Sequence, residues 1–385
     1  MHLFFRGVND AFHDVVYRIH HHELSTYSTP SRAGDVIQVD EPMMFTYSHP
    51  WERVLFNRAR DANPFFHLFE ALWMLAGRND VAPLLRYNSK IADVASDDGK
   101  IFNGAYGYRW RHQGYVKEVE TGLGMVNEWK AVDQLNVIAD QLRRKPESRR
   151  CVLQMWNVED DLLKIDETKD TCCNTNAYFS IRTIQDVQDS GGVTPWGASI
   201  DIPVNHSVLD MTVCNRSNDL LWGMLGANFV HFSMLQEYMA AKIGVEVGRY
   251  THVTNNLHVY KERWNPAALL EEYSRTMQSA PRLEYRRGQL TNGWRTGLGD
   301  IETFDKELNE FVSSPVPTRI WKNYFLNRVA SPMCWAFELH KRREYLMALK
   351  AADTIEAVDW RIAAVEWIQR RKAAWEKKDA STSTD

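Results

Sequence analysis

The chain has 385 residues, and its 46 Lys and Arg residues against 50 Asp and Glu residues give a formal net charge of −4. This balance excludes a protein built mainly to bind duplex nucleic acid, so we expect no direct nucleic-acid binding, although a few arginines suffice to bind a small anion. No apolar run approaches the roughly 18 residues of a membrane span, and residues 1–10 lack a signal-peptide core. We therefore expect a cytoplasmic protein without membrane contact. Five cysteines without a CxxC pair favour neither a disulfide framework nor a bound metal.

The first strong element is a nearly all-apolar helix predicted at 63–77. Asn63 suits the N-cap, Pro64 the first helical position and Gly77 the position after the C-cap. Glu70 lies in the middle of this apolar sequence, where a carboxylate is costly unless it is paired or faces a polar cavity. We interpret Glu70 as a site residue; the alternative is a structural pair with an arginine.

Helices and strands alternate along the next 200 residues. The pattern predicts an aromatic turn at 101–111, a helix at 131–144, strands at 151–158, 176–183 and 207–216, a loop at 186–203 and a helix at 228–243. Beyond Trp264 the chain becomes charge-rich, with helices predicted at 338–351 and 354–377 and disorder from Lys377 onward.

The most reactive-looking stretch is 170–174, which contains Cys172 and Cys173 and lies just before a predicted strand. A cysteine needs a nearby positive charge to ionise readily, and Arg149, Arg150 and Arg216 can supply it if the sheet pairs their strands. The chain contains no nucleophile elbow, P-loop or dinucleotide fingerprint. The residues thus favour thiolate chemistry on an anionic ligand.

An ordered set of short motifs resembles the thymidylate synthase family, which includes the pyrimidine hydroxymethylases of bacteriophages. In chain order the motifs are Ser31-Arg32-Ala33-Gly34, Glu70-Ala71-Leu72-Trp73, Asn103-Gly104-Ala105-Tyr106-Gly107, Ser148-Arg149-Arg150, Asp170 to Asn174, Arg216-Ser217-Asn218-Asp219, Gly226-Ala227-Asn228 and His258-Val259-Tyr260. The resemblance implies an α/β (α+β) fold with a large mixed sheet flanked by helices. It assigns a catalytic domain to 1–264 and leaves 265–385 as a mainly helical extension with a disordered tail.

The resemblance also implies a reaction. Cys173 aligns with the nucleophile that adds to C6 of a pyrimidine deoxynucleoside monophosphate, and 5,10-methylenetetrahydrofolate is the one-carbon cofactor. Arg216 would favour the thiolate, Glu70 would serve proton transfers at the base and the folate, and Tyr106 would lie near the transferred group. Asn174 stands where synthases usually carry a histidine.

The same resemblance assigns the binding residues. Those for the nucleotide are Arg32, Arg216 and Ser217 at the phosphate, Arg149 and Arg150 reaching across a homodimer interface, Asn228 at the base, and His258 and Tyr260 at the ribose. Asp219 resembles the aspartate that binds the pterin of the folate, where Glu70 also acts.

Departures from the family pattern guide the choice of reaction. Ala92 stands where synthases carry a tryptophan that packs on the methylene and folate, and the chain ends in Ser381-Thr382-Ser383-Thr384-Asp385 rather than a closing peptide with an aliphatic end. Both changes should admit water, which favours a 5-hydroxymethyl product over thymidylate. Asn228 suits uracil, although it falls one residue later than a gapless alignment requires. We therefore predict a dUMP hydroxymethyltransferase, with a dCMP hydroxymethylase, a thymidylate synthase and a non-catalytic scaffold of nucleotide synthesis as alternatives.

Overall fold

The computed structural model describes residues 1–95, 99–121, 124–184, 206–277, 298, 300–315 and 319–382. The predicted loop at 186–203 lies outside them. The strands are β1 His2–Phe5, β2 Thr26–Thr29, β3 Val36–Val39, β4 Met43–Tyr47, β5 Gln113–Thr121, β6 Gly124–Val132, β7 Val152–Gln154, β8 Asn174–Ile184, β9 His206–Asn215, β10 Asn218–Asp219, β11 Glu246–Thr254 and β12 Leu257–Tyr260. The α-helices are α1 Val8–His20, α2 Pro64–Leu75, α3 Ala82–Leu85, α4 Tyr106–His112, α5 Gln134–Arg144, α6 Asn228–Ile243, α7 Pro266–Met277, α8 Ile301–Ser313, α9 Ser331–Lys341, α10 Tyr345–Asp353 and α11 Val358–Thr382.

The described strands form a large mixed sheet and a smaller one. The large sheet has the order β1-β4-β11-β9-β8-β7, with β1 parallel to β4, β9 parallel to β11 and the other pairs antiparallel. The smaller sheet has the order β10-β12-β3-β2, while β5 and β6 pair as a separate hairpin. A large mixed sheet flanked by helices confirms the fold class expected from the sequence.

Helix α2 follows the sequence signals closely. Oδ1 of Asn63 accepts from the backbone N–H groups of Phe65 and Phe66, a cap that contributes about 1 kcal/mol in comparable helices. Gly77 adopts φ +72°, the left-handed conformation that ends helices and that glycine adopts without strain. All residues of α2 are buried except Glu70, which is partly exposed. The apolar helix thus presents one carboxylate to a cleft.

Several predicted elements differ in extent or type. The second half of the aromatic turn predicted at 101–111 is helix α4, Tyr106–His112. The strand predicted at 151–158 ends at Gln154, because Asn157 caps a π-helical segment at Val158–Leu162 by accepting from two backbone N–H groups. Helix α5 begins at Gln134 rather than at residue 131, because the preceding residues complete β6 and Asp133 caps the helix. The helix predicted at 338–351 is split between α9 and α10, with Arg343 at φ +62° between them.

The C-terminal helices share the core of the preceding domain. The Trp367 ring of α11 lies 5.4 Å from the Phe65 ring of α2, and the guanidinium groups of Arg370 and Arg371 both bind the carboxylate of Asp61. Helix α11 continues through 377–382, a segment for which the sequence predicts disorder; 383–385 lie outside the described residues. No helix among the described residues is both long enough and apolar enough to cross a membrane.

Candidate active site

A cleft of about 370 Å³ opens where the strand ends near residues 173, 216 and 258 face helices α2, α4 and α6. Nine of the residues singled out in the sequence line it. They are Glu70, Tyr106, Cys173, Arg216, Ser217, Asp219, Asn228, His258 and Tyr260.

Strand register explains why distant motifs meet at this cleft. Antiparallel pairing of β8 with β9 places Asn174 opposite Asn215, so Cys173 and Arg216 are neighbours at the same end of the two strands. The backbone N–H of Arg216 donates to the carbonyl of Cys173 at 3.0 Å. Parallel pairing of β10 with β12 similarly sets Asp219 beside His258. The large sheet thus sets Cys173 beside Arg216, the smaller sheet sets Asp219 beside His258, and all four residues line the same cleft.

Opposing interactions act on the pKa of the Cys173 thiol. Burial raises its pKa, and the nearby Asp170 carboxylate acts in the same direction. The Arg216 guanidinium, whose Nη2 lies 3.7 Å from Sγ, and a hydrogen bond from the Tyr106 side chain lower that pKa. Arg216 is held in place because its Nε and Nη2 donate to the carbonyls of Cys172 and Thr171 at 2.9 and 3.0 Å.

A carboxylate and an imidazole meet on another wall of the cleft. Nε2 of His231, one turn into α6, lies 2.9 Å from Oε2 of Glu70, and the His231 side chain is 2% exposed. Within the described residues, neither that carboxylate oxygen nor either imidazole nitrogen has a hydrogen-bond partner of good geometry. Buried polar groups in this condition favour bound water or substrate as their partners.

The opposite end of the cleft carries His258 and Asp219. Nδ1 of His258 lies 3.0 Å from the acceptor Oδ1 of Asn256, which leaves Nε2 as a hydrogen-bond acceptor. Burial lowers the pKa of His258, although the Asp219 carboxylate acts in the opposite direction. Oδ1 of Asp219 accepts from the backbone N–H groups of Leu221 and Trp222 and thereby caps the segment that follows. A neutral His258 suits a sugar hydroxyl.

The segment before Asn228 accounts for its unusual spacing. Leu220–Ala227 is π-helical, with non-helical backbone at Leu225 and Gly226. A π-helical turn contains one more residue than an α-helical turn, so it absorbs the residue that displaces Asn228 from a gapless alignment. Asn228 begins α6, is 8% exposed and lines the cleft.

One edge of the cleft fits a flat aromatic ligand with carboxylate groups. The Trp222 ring is partly exposed, and the guanidinium carbons of Arg60 and Arg263 lie 5.5 and 5.6 Å from its centre. Nη2 of Arg60 is buried without a hydrogen-bond partner among the described residues. An aromatic face beside two arginines suits a flat ligand that carries negative charge.

Four candidate residues lie outside the cleft. Arg149 and Arg150 are exposed, and Arg32 is exposed with Nη2 donating to the carbonyl of Lys169. Asn174 is fully buried behind the nucleophile, where its Oδ1 accepts from Asn215. Ala92, at the position where synthases carry a tryptophan, is not among the lining residues of the cleft, whereas its neighbour Ile91 is.

Several cleft residues belong to none of the roles expected from the sequence. Trp73 and Trp222 contribute aromatic surface, His231 faces Glu70, and Asn218 lies behind Asn228. His231 could have been found, because a histidine three residues after Asn228 in a predicted helix lies on the same helix face as Asn228. Within the described part of the chain, no three His, Cys, Asp or Glu side chains come together as a metal site requires.

Comparisons with known proteins agree with the geometry. Residues 58–316 match the family model described as thymidylate synthase. The chain is 36% identical over 386 aligned residues to a deoxyuridylate hydroxymethyltransferase of Pseudomonas phage M6, which covers 99% of this chain and 97% of that protein. It is 30% identical over 305 residues to a deoxyuridylate hydroxymethyltransferase of Bacillus phage SP01, which covers 73% of this chain and 72% of that protein.

Proposed function

Because the chain belongs to the thymidylate synthase family, we propose that it is a deoxyuridylate hydroxymethyltransferase, which converts dUMP into 5-hydroxymethyl-dUMP. One observation carries this proposal most directly: Cys173, with Arg216 beside its thiol, lines the same cleft as Glu70 and His231, whose facing atoms have no hydrogen-bond partner among the described residues. The likeness to two phage proteins of that name supports the product and the base.

In the proposed mechanism, the protein first activates and orients the nucleotide. The Cys173 thiolate adds to C6, which places negative charge along C5, C4 and O4 of the base. The Asn228 amide can donate to O4 and accept from N3–H, so it stabilises that charge. Arg216 and Ser217 bind the phosphate, while His258 and Tyr260 bind the ribose hydroxyl.

We propose 5,10-methylenetetrahydrofolate as the cofactor, which supplies the one-carbon unit when it is bound. Asp219 would hold the pterin, the Trp222 face the aromatic ring, and Arg60 and Arg263 the glutamate carboxylates. The buried, unpartnered Nη2 of Arg60 supports this assignment, because an arginine so placed gains most from a bound anion.

The final steps distinguish the product. Once the one-carbon unit that the cofactor would supply is bonded to C5, tetrahydrofolate has been released and the C5 proton has been lost, the nucleotide would carry an exocyclic methylene carbon. Water adds to that carbon, its proton passes to the Glu70–His231 pair, and the electrons move toward O4. Loss of the Cys173 thiolate from C6 then restores the C5–C6 double bond, so these steps need no oxidant or reductant.

We also propose a homodimer that completes each site. Arg149 and Arg150 are exposed at the start of β7, at the edge of the large sheet, rather than in the cleft of their own chain. If a second copy of the chain contributes Arg149 and Arg150, their two guanidinium groups would complete a binding site for a dianionic phosphate.

Product analysis tests the proposed function. The purified protein is incubated with methylenetetrahydrofolate and either dUMP or dCMP, and the nucleotide product is identified by mass spectrometry. We expect dUMP to gain a hydroxymethyl group without formation of dihydrofolate. Gain of a methyl group with stoichiometric dihydrofolate would establish a thymidylate synthase instead, and turnover of dCMP alone would overturn the choice of base.

A further inference from the structure

A chain of buried side chains runs from the cleft wall into the large sheet. Nδ2 of Asn228 donates to Oδ1 of Asn218 at 3.3 Å, and Nδ2 of Asn218 lies 2.9 Å from Nε2 of His252. Asn218 and His252 are 3% and 0% exposed, and each is the hydrogen-bond partner of the other. The orientation of each amide therefore depends on its neighbour in the chain.

Close packing at Gly223 restricts the pair of amides further. A Cβ atom at this position would lie 2.3 Å from Oδ1 of Asn218 and 3.2 Å from Nδ2 of Asn228. Only a glycine leaves room for the two side chains to meet there. The contact between Asn218 and Asn228 is thus built into the fold of the π-helical segment rather than made by two mobile surface groups.

The buried end of the chain is a neutral imidazole. Burial lowers the pKa of His252 to about 3, so the ring carries one proton at neutral pH. Nδ1 lies 2.9 Å from the Tyr250 hydroxyl, and a proton on Nδ1 leaves Nε2 free to accept from Asn218. Nε2 also lies 2.8 Å from Oδ1 of Asn215, which competes by favouring a proton on Nε2. The Asn218 contact therefore depends on the tautomer of His252.

The direction of the hydrogen bonds in this series of side chains decides which base the Asn228 amide can pair with. With one N–H of Asn228 committed to Asn218, Oδ1 accepts from N3–H of uracil and the second N–H donates to O4. Cytosine offers an acceptor at N3 and an amine at C4, so it requires the Asn228 amide to be reversed. Reversal would bring Oδ1 of Asn228 against Oδ1 of Asn218 and leave two acceptors facing each other without a proton.

We propose that Asn218 is a positioning residue that sets the preference for uracil over cytosine by fixing the orientation of the Asn228 amide. This inference rests on the proposed function and identifies how its base is chosen. In this proposal Asn218, which also lines the cleft, acts through its hydrogen bond with Asn228.

Binding of the nucleotide alone tests the inference. Dissociation constants of dUMP and dCMP are measured by calorimetry, without folate, for the unmodified protein and for Asn218→Leu, Asn218→Ser and Asn218→Asp. We expect Asn218→Leu and Asn218→Ser to reduce the preference for dUMP by about tenfold, the usual weight of one buried hydrogen bond. Asn218→Asp keeps an acceptor for Asn228, so it should retain most of the preference.

Asn323→Leu is the matched control, because Asn323 is equally buried and hydrogen-bonded but lies in the C-terminal part of the chain, just before the π-helical segment Leu326–Ala330. It should lower the melting temperature and leave the dUMP-to-dCMP ratio unchanged. If the unmodified protein prefers dUMP and both Asn218→Leu and Asn218→Ser keep that preference, the inference is wrong while the proposed function stands. If the unmodified protein does not prefer dUMP, both fail. Should Asn218→Leu not fold, Asn218→Ser decides the question.

Discussion

Sγ of Cys173 lies 3.7 Å from Nη2 of Arg216, and the same guanidinium donates to the carbonyls of the two preceding residues, Thr171 and Cys172. The arginine therefore holds the loop that presents the thiol and also stabilises its ionised form. It is further positioned over the Trp156 ring, 5.8 Å from its centre. A single side chain thus couples the shape of the nucleophile loop to its reactivity.

We expect the Cys173 thiol to be mostly protonated in the free protein at neutral pH. Burial raises its pKa, so the thiolate fraction, and with it the rate of alkylation by iodoacetamide, should rise as the pH increases past the ordinary thiol range. Arg216→Gln removes the opposing charge and should slow alkylation at neutral pH by about tenfold or more. Arg216→Lys, which retains the charge, should lose less. An unchanged pH profile in Arg216→Gln would show that the arginine does not control the thiol.

His231→Gln tests the carboxylate–imidazole pair. Removing a proton acceptor 2.9 Å from Glu70 should slow water capture by about 10²–10⁴-fold, the usual weight of one general base. Release of tritium from C5 of labelled dUMP reports the earlier steps, and it should fall far less than formation of the hydroxymethyl product. Intact-protein mass spectrometry should then detect a covalent nucleotide adduct on Cys173.

The matched control for this variant is His340→Gln in α9, a half-buried histidine outside the cleft. This variant should change neither the release of tritium nor the formation of the hydroxymethyl product. Equal losses of tritium release and product in His231→Gln would assign His231 to binding or to an earlier step and would contradict a role in water capture.

Local signals and motif order are enough to predict much of the cleft from the amino-acid sequence. Asn63 and Gly77 mark the ends of α2 because each satisfies backbone groups with its own side chain or conformation, independently of the rest of the fold. Glu70 faces a polar cavity as expected, since no other arrangement suits a carboxylate in so apolar a helix without an arginine partner. The family resemblance is also confirmed.

Contacts between segments that are distant in the sequence are harder to predict from it. The sequence does not predict the β5–β6 hairpin, because its residues show no strong alternation and its strands pair only with each other. The hydrogen-bonded series from Asn228 through Asn218 to His252 joins α6, β10 and β11, and only the packing of the two sheets and the helix brings these elements together. The roles of all the site residues remain predictions. Asn174 is buried behind Cys173, and Arg32, Arg149 and Arg150 are exposed outside the cleft of their own chain.

Trp367→Ala tests the attachment of the C-terminal helices. The Trp367 ring is 5% exposed and lies 5.4 and 6.1 Å from the rings of Phe65 and Phe337, so its removal should lower the free energy of unfolding by about 3–5 kcal/mol. Denaturant unfolding measures this loss. Trp129→Ala, at a 55% exposed site in the β5–β6 hairpin, should change stability by less than about 0.5 kcal/mol. Similar effects of the two variants would mean that α11 does not contribute to the common core.

Mixing two inactive variants tests the shared active site. Cys173→Ser lacks the nucleophile but retains Arg149 and Arg150, whereas the double variant Arg149→Ala, Arg150→Ala has the reverse defect. If each copy lends its arginines to the other, a mixed dimer contains one complete site. Random reassortment of equal amounts should then restore about one quarter of the unmodified activity. Each variant alone, taken through the same unfolding and refolding, is the control. Failure of the mixture to regain activity, with dimers present by light scattering, would place both arginines outside the partner's site.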